Sequence, residues 1–177
     1  MAVGWQADLL LEHAHRRARL GSEQADTSVE KPVRAWAAMG VKLAGSAPLP
    51  ASDEPSSISL PAGWRGPAFI LYPNFKAVMN WNRSTLYALA VAILAQQIAG
   101  GPAVMQAPPE DDAPLSRDTV IDMQTRLARL GFYTDETDGL LGPKTRSAVR
   151  MFQKQIGMPA DGHATPQLVA RLQQAVR

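Results

Sequence analysis

A chain without cysteine must draw its chemistry from carboxylates, imidazoles, hydroxyls and cations, and this one has no cysteine. Thiolate catalysis, disulfide staples and Cys-based zinc sites are excluded together. The densest group of reactive types lies near the start, where Glu12, His13 and His15 are followed by Arg16, Arg17 and Arg19. A carboxyl that donates a proton near neutral pH has to be kept protonated by apolar surroundings. The imidazoles and arginines beside Glu12 favour its charged form instead, so Glu12 reads as a surface residue of a helix. His13 and His15 stand two apart, which turns them to different helix faces, and His163 is distant; no metal site is expected.

A second set of residues is spaced for turns. Gly131-Phe132-Tyr133 is followed by Asp138-Gly139 and Thr145, and Gly157-Met158-Pro159 is followed by Asp161-Gly162 and Thr165. Each copy is a helix end, an Asp-Gly turn and a new helix start. An Asp side chain can close an Asx-turn on its own backbone and the glycine supplies positive φ, so Asp138, Gly139, Asp161 and Gly162 read as architecture before they read as ligand contacts.

The elements that position these residues follow from punctuation. Ser116 or Asp118 caps a helix with Val120, Met123, Leu127 and Leu130 on one face, ended at Gly131. Gly142-Pro143 opens a second helix lined by Val149, Phe152 and Ile156, and Thr165-Pro166 opens a third with Leu168, Leu172 and Val176. Three such helices over residues 115–177 can share one core. Upstream, residues 102–114 contain Pro108, Pro109, Glu110, Asp111, Asp112 and Pro114 and read as a Pro-rich linker. Residues 27–101 predict a short helix over Lys31 to Met39, strands over Ser57 to Leu60 and Ala68 to Tyr72, a further strand over Lys76 to Trp81, and a helix through Ala88 to Ile98 capped by Asn82 or Ser84. The apolar stretch Leu86 to Ala99 is too short to span a bilayer and reads as a buried helix. Residues 1–26 stay unassigned, with a helix as the favoured local form. The fold class expected is mainly α: a C-terminal three-helix module preceded by a small α+β remnant with short antiparallel strands.

Over 177 residues the formal net charge is only +2, which is no footprint for nucleic acid. Met1 to Leu20 lacks a basic region followed by a clean apolar core, so no signal peptide is read there. No cofactor is implied.

The string Met123-Gln124, Leu127, Leu130-Gly131-Phe132-Tyr133, Asp138 through Arg146, Ala148-Val149, Phe152-Gln153, Gly157 and Asp161-Gly162 closely resembles the type 1 peptidoglycan-binding domain. The resemblance implies a module that anchors cell-wall enzymes to peptidoglycan. Within it Tyr133, Lys144 and Arg146 are the candidate contacts: an aromatic face can stack on a sugar, and cations can meet stem-peptide carboxylates. A solvated face is the plainer alternative for all three.

The second region resembles the C-terminal end of the catalytic domain of MltB-like lytic murein transglycosylases, through Lys31-Pro32-Val33, Trp36-Ala37, Gly40-Val41, Leu60-Pro61-Ala62-Gly63, Gly66-Pro67-Ala68-Phe69, Asn74-Phe75 and Asn82 through Val91. By that resemblance Trp81, Asn82 and Tyr87 lie near the glycan groove. Trp81 stands where the family commonly has tyrosine, a change that keeps an aromatic platform; the alternative is that Asn82 and Ser84 cap the helix and Tyr87 packs beneath it. The family's catalytic glutamate lies upstream of this region and nothing in residues 1–26 matches it. The chain thus looks like the C-terminal part of such an enzyme, with no catalytic residue of its own and no activity alone. Its expected ligand is a glycan strand or stem peptide of peptidoglycan, and its expected setting is the periplasm or cell envelope, as a monomer.

Overall fold

Ala68-Phe69-Ile70-Leu71-Tyr72 is apolar at every position, which suits a strand covered on both faces. The computed structural model describes residues 9–11, 25–43, 47–100 and 107–176, and places β4 (Ala68–Leu71) inside a four-stranded sheet of order β1-β4-β3-β2. The other strands are β1 (Leu9–Leu11), β2 (Lys31–Pro32) and β3 (Pro55–Ser59), and all pairs are antiparallel, with Ile58 opposite Ile70 and Ser59 opposite Phe69. Alternate residues of β4 serve two cores. Ala68, Ile70 and Tyr72 join Ile58, Val33 and Trp36, while Phe69 and Leu71 join Phe75, Ala88 and Leu89.

The first core is organised by Trp36 on α1 (Val33–Ala38), which is fully buried and donates its indole N–H to the Ser56 carbonyl at 3.2 Å. A buried indole needs that partner. The helix expected from Lys31 starts later, because Lys31 and Pro32 pair with Ser56 and Pro55 of β3 and Pro32 becomes the N-cap.

Two expectations are corrected in this unit. Lys76 to Trp81 is not a strand: it belongs to helix α2 (Pro73–Trp81), which Pro73 opens in the first turn. Phe75, Val78 and Met79, spaced i, i+3 and i+4, then pack on the Phe69–Leu71 face of the sheet. Leu9–Leu11, expected as helix, is a strand, since an edge of β4 offers it backbone partners from Ala68 to Ile70 and tertiary context outweighs a weak local preference. The remaining helix expectation, with Glu12, His13 and His15, lies outside the described residues.

Helix α3 (Thr85–Ile98) also departs from expectation, for it buries one face only. Ala88, Leu89 and Gln96 are buried, whereas Leu86, Leu94 and Ile98 are 67%, 57% and 79% exposed.

The chain divides into two compact units, Met1–Ala107 and Pro108–Arg177. The second comprises α4 (Arg117–Arg129), α5 (Pro143–Gln155) and α6 (Pro166–Ala175), with side-chain caps from Ser116 and Thr165 and prolines in the first turns of α5 and α6. Gly131 and Gly157 end α4 and α5 at φ of 80° and 69°, the left-handed geometry in which a side chain is strained. Val120, Met123, Leu127, Val149, Phe152, Leu168 and Leu172 close one core. The architecture is mainly helical with one small antiparallel sheet. No helix among the described residues is long and apolar enough to cross a membrane.

Candidate functional site

In the first unit the candidate residues sit at the joint between α2 and α3. The Asn82 side-chain oxygen accepts from the Ser84 N–H at 2.9 Å, and Ser84 Oγ accepts from the Tyr87 N–H at 3.3 Å. Both polar groups therefore hold the turn and cap the helix. This arrangement puts Trp81 at the last position of α2, 87% exposed, and Tyr87 in the first turn of α3, 43% exposed. An indole left in water at the end of a fixed helix is not explained by packing, and its flat apolar face is free to receive a ring.

In the second unit the two Asp-Gly turns are built alike, and each is gripped by a buried glutamine. Gln124 on α4 accepts the Gly139 N–H on its side-chain oxygen at 2.9 Å. Its amide nitrogen lies 2.9 Å from Asp138 Oδ1, 3.1 Å from Thr145 Oγ1, 3.2 Å from the Leu140 carbonyl and 3.3 Å from the Tyr133 hydroxyl. Two hydrogens cannot serve four acceptors fully, so the two shortest contacts carry most of the bonding. Gln153 on α5 repeats the grip on the second turn: it accepts the Gly162 N–H at 2.9 Å and donates to Asp161 Oδ1 at 2.8 Å. In both turns the aspartate also accepts the N–H two residues on, from Leu140 and from His163. The Gln124 amide, followed by the Leu140 N–H, holds the Asp138 carboxyl below its ordinary 3.8.

Close packing explains both glycines. A Cβ on Gly139 (φ +74°) would lie 2.6 Å from Arg117 Cγ, and one on Gly162 (φ +73°) would lie 2.9 Å from the Arg146 carbonyl.

Tyr133 does not stand where a stacking platform would. It is 7% exposed, packs in the core, and donates its hydroxyl to the Glu136 carbonyl at 2.8 Å. The expectation of a sugar on its ring is corrected by that burial: Gln124 and Glu136 give the hydroxyl inward partners, so the ring can be interior. Lys144 is exposed and meets Asp135 at 2.7 Å, which raises its pKa. Arg146 Nε reaches the Leu141 carbonyl at 3.3 Å.

Residue-type reasoning missed three features. Gln124 and Gln153 carry no chemical signal of their own, although each stands seven residues beyond an arginine, Arg117 or Arg146, in matching helices. Leu140 and Leu141, 61% and 37% exposed, form an apolar tip beside Lys144. His163, considered only as a distant metal ligand, instead meets Asp112 at 2.6 Å, with side chains 19% and 7% exposed. Asp112 of the expected linker is thereby docked on the second unit. No group of three metal-ligating side chains exists among the described residues.

Comparison with known proteins fits this division. Residues 1–96 match the transglycosylase SLT domain, a span that includes the first 26 residues, and residues 116–172 match a peptidoglycan binding domain. The crystal structure of SltB3 from Pseudomonas aeruginosa in complex with NAG-NAM-pentapeptide is 41% identical, with a TM-score of 0.86, and aligns over 93% of this chain and 44% of its own. Among curated proteins, the spore cortex-lytic enzyme of Halalkalibacterium halodurans is 41% identical over 56 residues, covering 32% of this chain and 17% of the relative. The N-acetylmuramoyl-L-alanine amidase CwlM of Mycobacterium tuberculosis is 42% identical over 60 residues, covering 34% and 15%. The chain thus spans less than half the length of the solved relative and about a sixth of the curated ones. It belongs to the transglycosylase SLT domain family, carries a peptidoglycan binding domain behind that part, and falls among proteins of the bacterial cell envelope.

Proposed function

We propose that this family member binds peptidoglycan in the periplasm as the C-terminal part of a lytic murein transglycosylase, with the second unit as the anchor and no turnover by the chain alone. The observation that carries the reading is the pairing, in one chain, of a closed three-helix unit with a family unit whose Trp81–Tyr87 joint faces water. Lys144 and Arg146 are the anchor's cationic contacts, and Trp81, Asn82 and Tyr87 flank the glycan in the first unit.

The absence of turnover rests on acid chemistry. Cleaving a glycosidic bond with closure of an anhydro ring needs a carboxyl kept protonated at the leaving oxygen. By the resemblance to the MltB-like enzymes that carboxyl is a glutamate upstream of the matching residues, and this expectation carries the reading.

The test is sedimentation of the full chain with insoluble peptidoglycan, followed by mass spectrometry of the supernatant. The chain should pellet and release no anhydro-muropeptides above a heat-killed control. Lys144→Ala with Arg146→Ala should weaken pelleting by about tenfold or more. If those substitutions left it unchanged while Trp81→Ala or Tyr87→Ala reduced it, the anchor would be the first unit.

A second reading, an active transglycosylase completed by a separately supplied catalytic lobe, is favoured by α3. Leu86, Leu94 and Ile98 recur at intervals of four or eight on a helix with no charged residue, and all three are exposed. Such a stripe suits burial against another helix. Anhydro-muropeptides appearing only when a lobe bearing the family's glutamate is added would favour this reading.

A further inference from the structure

The exposed aromatic side chains among the described residues fall in one unit. Trp64, Trp81 and Tyr87 are 40%, 87% and 43% exposed, whereas in the second unit Tyr133 and Phe152 are buried and Phe132 packs against them. A sugar ring, with an apolar C–H face and a polar edge, is best held by a flat aromatic surface. The second unit has none to offer.

What it presents instead lies at the start of α5. Leu140 and Leu141 face solvent, and Lys144 stands one turn further on, already holding a carboxylate, that of Asp135, at 2.7 Å. The second turn supplies an internal comparison, because Asp138 to Pro143 and Asp161 to Pro166 have the same length and the same Asp-Gly start. In that copy the two equivalent positions are closed: His163 is bonded to Asp112 and Ala164 is 6% exposed. The same backbone turn is sealed in one copy and open in the other.

We propose that the second unit recognises the stem peptide of peptidoglycan and not its glycan, with Lys144 taking a peptide carboxylate in exchange for Asp135 and Leu140–Leu141 covering short aliphatic side chains. This rests on the reading that the unit binds peptidoglycan, and names the part that is bound. Charge decides the occupant: an ammonium that already donates to one carboxylate at the surface can donate to another, and an uncharged glycan edge gives it little.

The experiment compares the full chain on intact sacculi with the full chain on sacculi stripped of stem peptides by an amidase. On intact sacculi, Lys144→Gln and Leu140→Ser should each weaken retention about fivefold or more. A soluble pentapeptide ending in a free carboxylate should displace the unsubstituted chain, a readout that needs no variant. On stripped glycan, where amidase cleavage leaves a lactyl carboxylate on each muramic acid, Leu140→Ser and the unsubstituted chain should be indistinguishable, because no aliphatic side chain is left for Leu140 to cover. Equal losses of Leu140→Ser on both materials, or no displacement by the peptide, would overturn the stem-peptide assignment while leaving peptidoglycan binding intact. Failure of the unsubstituted chain to pellet with intact sacculi would overturn the underlying reading itself.

Discussion

Replacing Gln124 by leucine should cost the second unit much of its stability. The side chain is fully buried, and leucine keeps its approximate volume while removing every polar contact. The Gly139 N–H then loses its acceptor inside the protein, at about 1–3 kcal/mol, and the Thr145 and Tyr133 hydroxyls lose a donor, for a total of roughly 3 kcal/mol. A unit of this size is stable by only about 4–10 kcal/mol. With about 4–8 °C lost per kcal/mol in a small domain, the midpoint should fall by some 10–25 °C. The transition can be assigned because all described tryptophans, Trp36, Trp64 and Trp81, lie in the first unit. Far-UV circular dichroism reports both units and tryptophan fluorescence reports the first, so a drop confined to dichroism belongs to the second. Gln124→Glu keeps the shape and the acceptor for Gly139 but replaces the donor with a charge beside Asp138, and should be at least as damaging. If Gln124→Leu melted within about 3 °C of the unsubstituted chain, the grip on the turn would not be what holds the unit together.

Gly139→Ala should lower the same transition by about 1–3 kcal/mol, because the backbone is left-handed and the new methyl meets Arg117. Ser84→Ala should lower the fluorescence transition by only about 0.5–1 kcal/mol, the loss of one cap to Tyr87, with sedimentation unchanged. Acid should weaken the second unit in a defined window. The folded Asp138 carboxyl sits below 3.8, so its contribution is complete above the unfolded value and is lost as pH falls through the lower folded one. Asp138→Asn should flatten the pH dependence of the dichroism midpoint below about pH 4 without abolishing it, since Asp122, held down first by its hydrogen bond with Arg126, titrates in the same window.

The helices of the second unit were legible because independent signals agreed. Ser116 and Thr165 cap, Pro143 and Pro166 open, Gly131 and Gly157 close, and the apolar spacing between them is helical throughout. The first unit gave less away where signals conflicted. Lys76-Ala77-Val78-Met79 fits strand or helix by composition, and only the Phe69–Leu71 face beneath it decides for helix. The largely apolar α3 reads as interior by sequence, yet which of its faces is covered depends on what the sheet and α2 leave open. Of the candidate site, Trp81 and Tyr87 are exposed, while Tyr133 turns inward for a reason its own type cannot reveal: a glutamine nine residues earlier offers its hydroxyl a buried partner.

That glutamine also explains why the sequence repeat was seen only in part. The echo between Asp138-Gly139 and Asp161-Gly162 is visible because Asp-Gly is a recognised turn signal, but the residue that makes each turn rigid sits 14 positions upstream in the first copy and 8 in the second. Half of the difference lies within the helix, since Gln124 stands seven residues before Gly131 and Gln153 four before Gly157, and half lies between helix end and turn, where the first copy holds Tyr133, which fills the core, and Asp135, which occupies Lys144. Beyond the aspartate the two copies run in step to the prolines of α5 and α6. Fixed spacing on one side of the turn and free spacing on the other is what a buried clamp permits, since Gln124 and Gln153 hold the Asp-Gly backbone regardless of the path taken to it. The turn can then carry outward residues as different as Leu140–Leu141 and His163–Ala164 without altering its own bonds. Contact chemistry is thereby uncoupled from fold stability, which is why substitutions at Leu140 and Lys144 should alter binding and leave the melting transition in place, while Gln124→Leu should lower the melting transition and lose binding only where the unit unfolds.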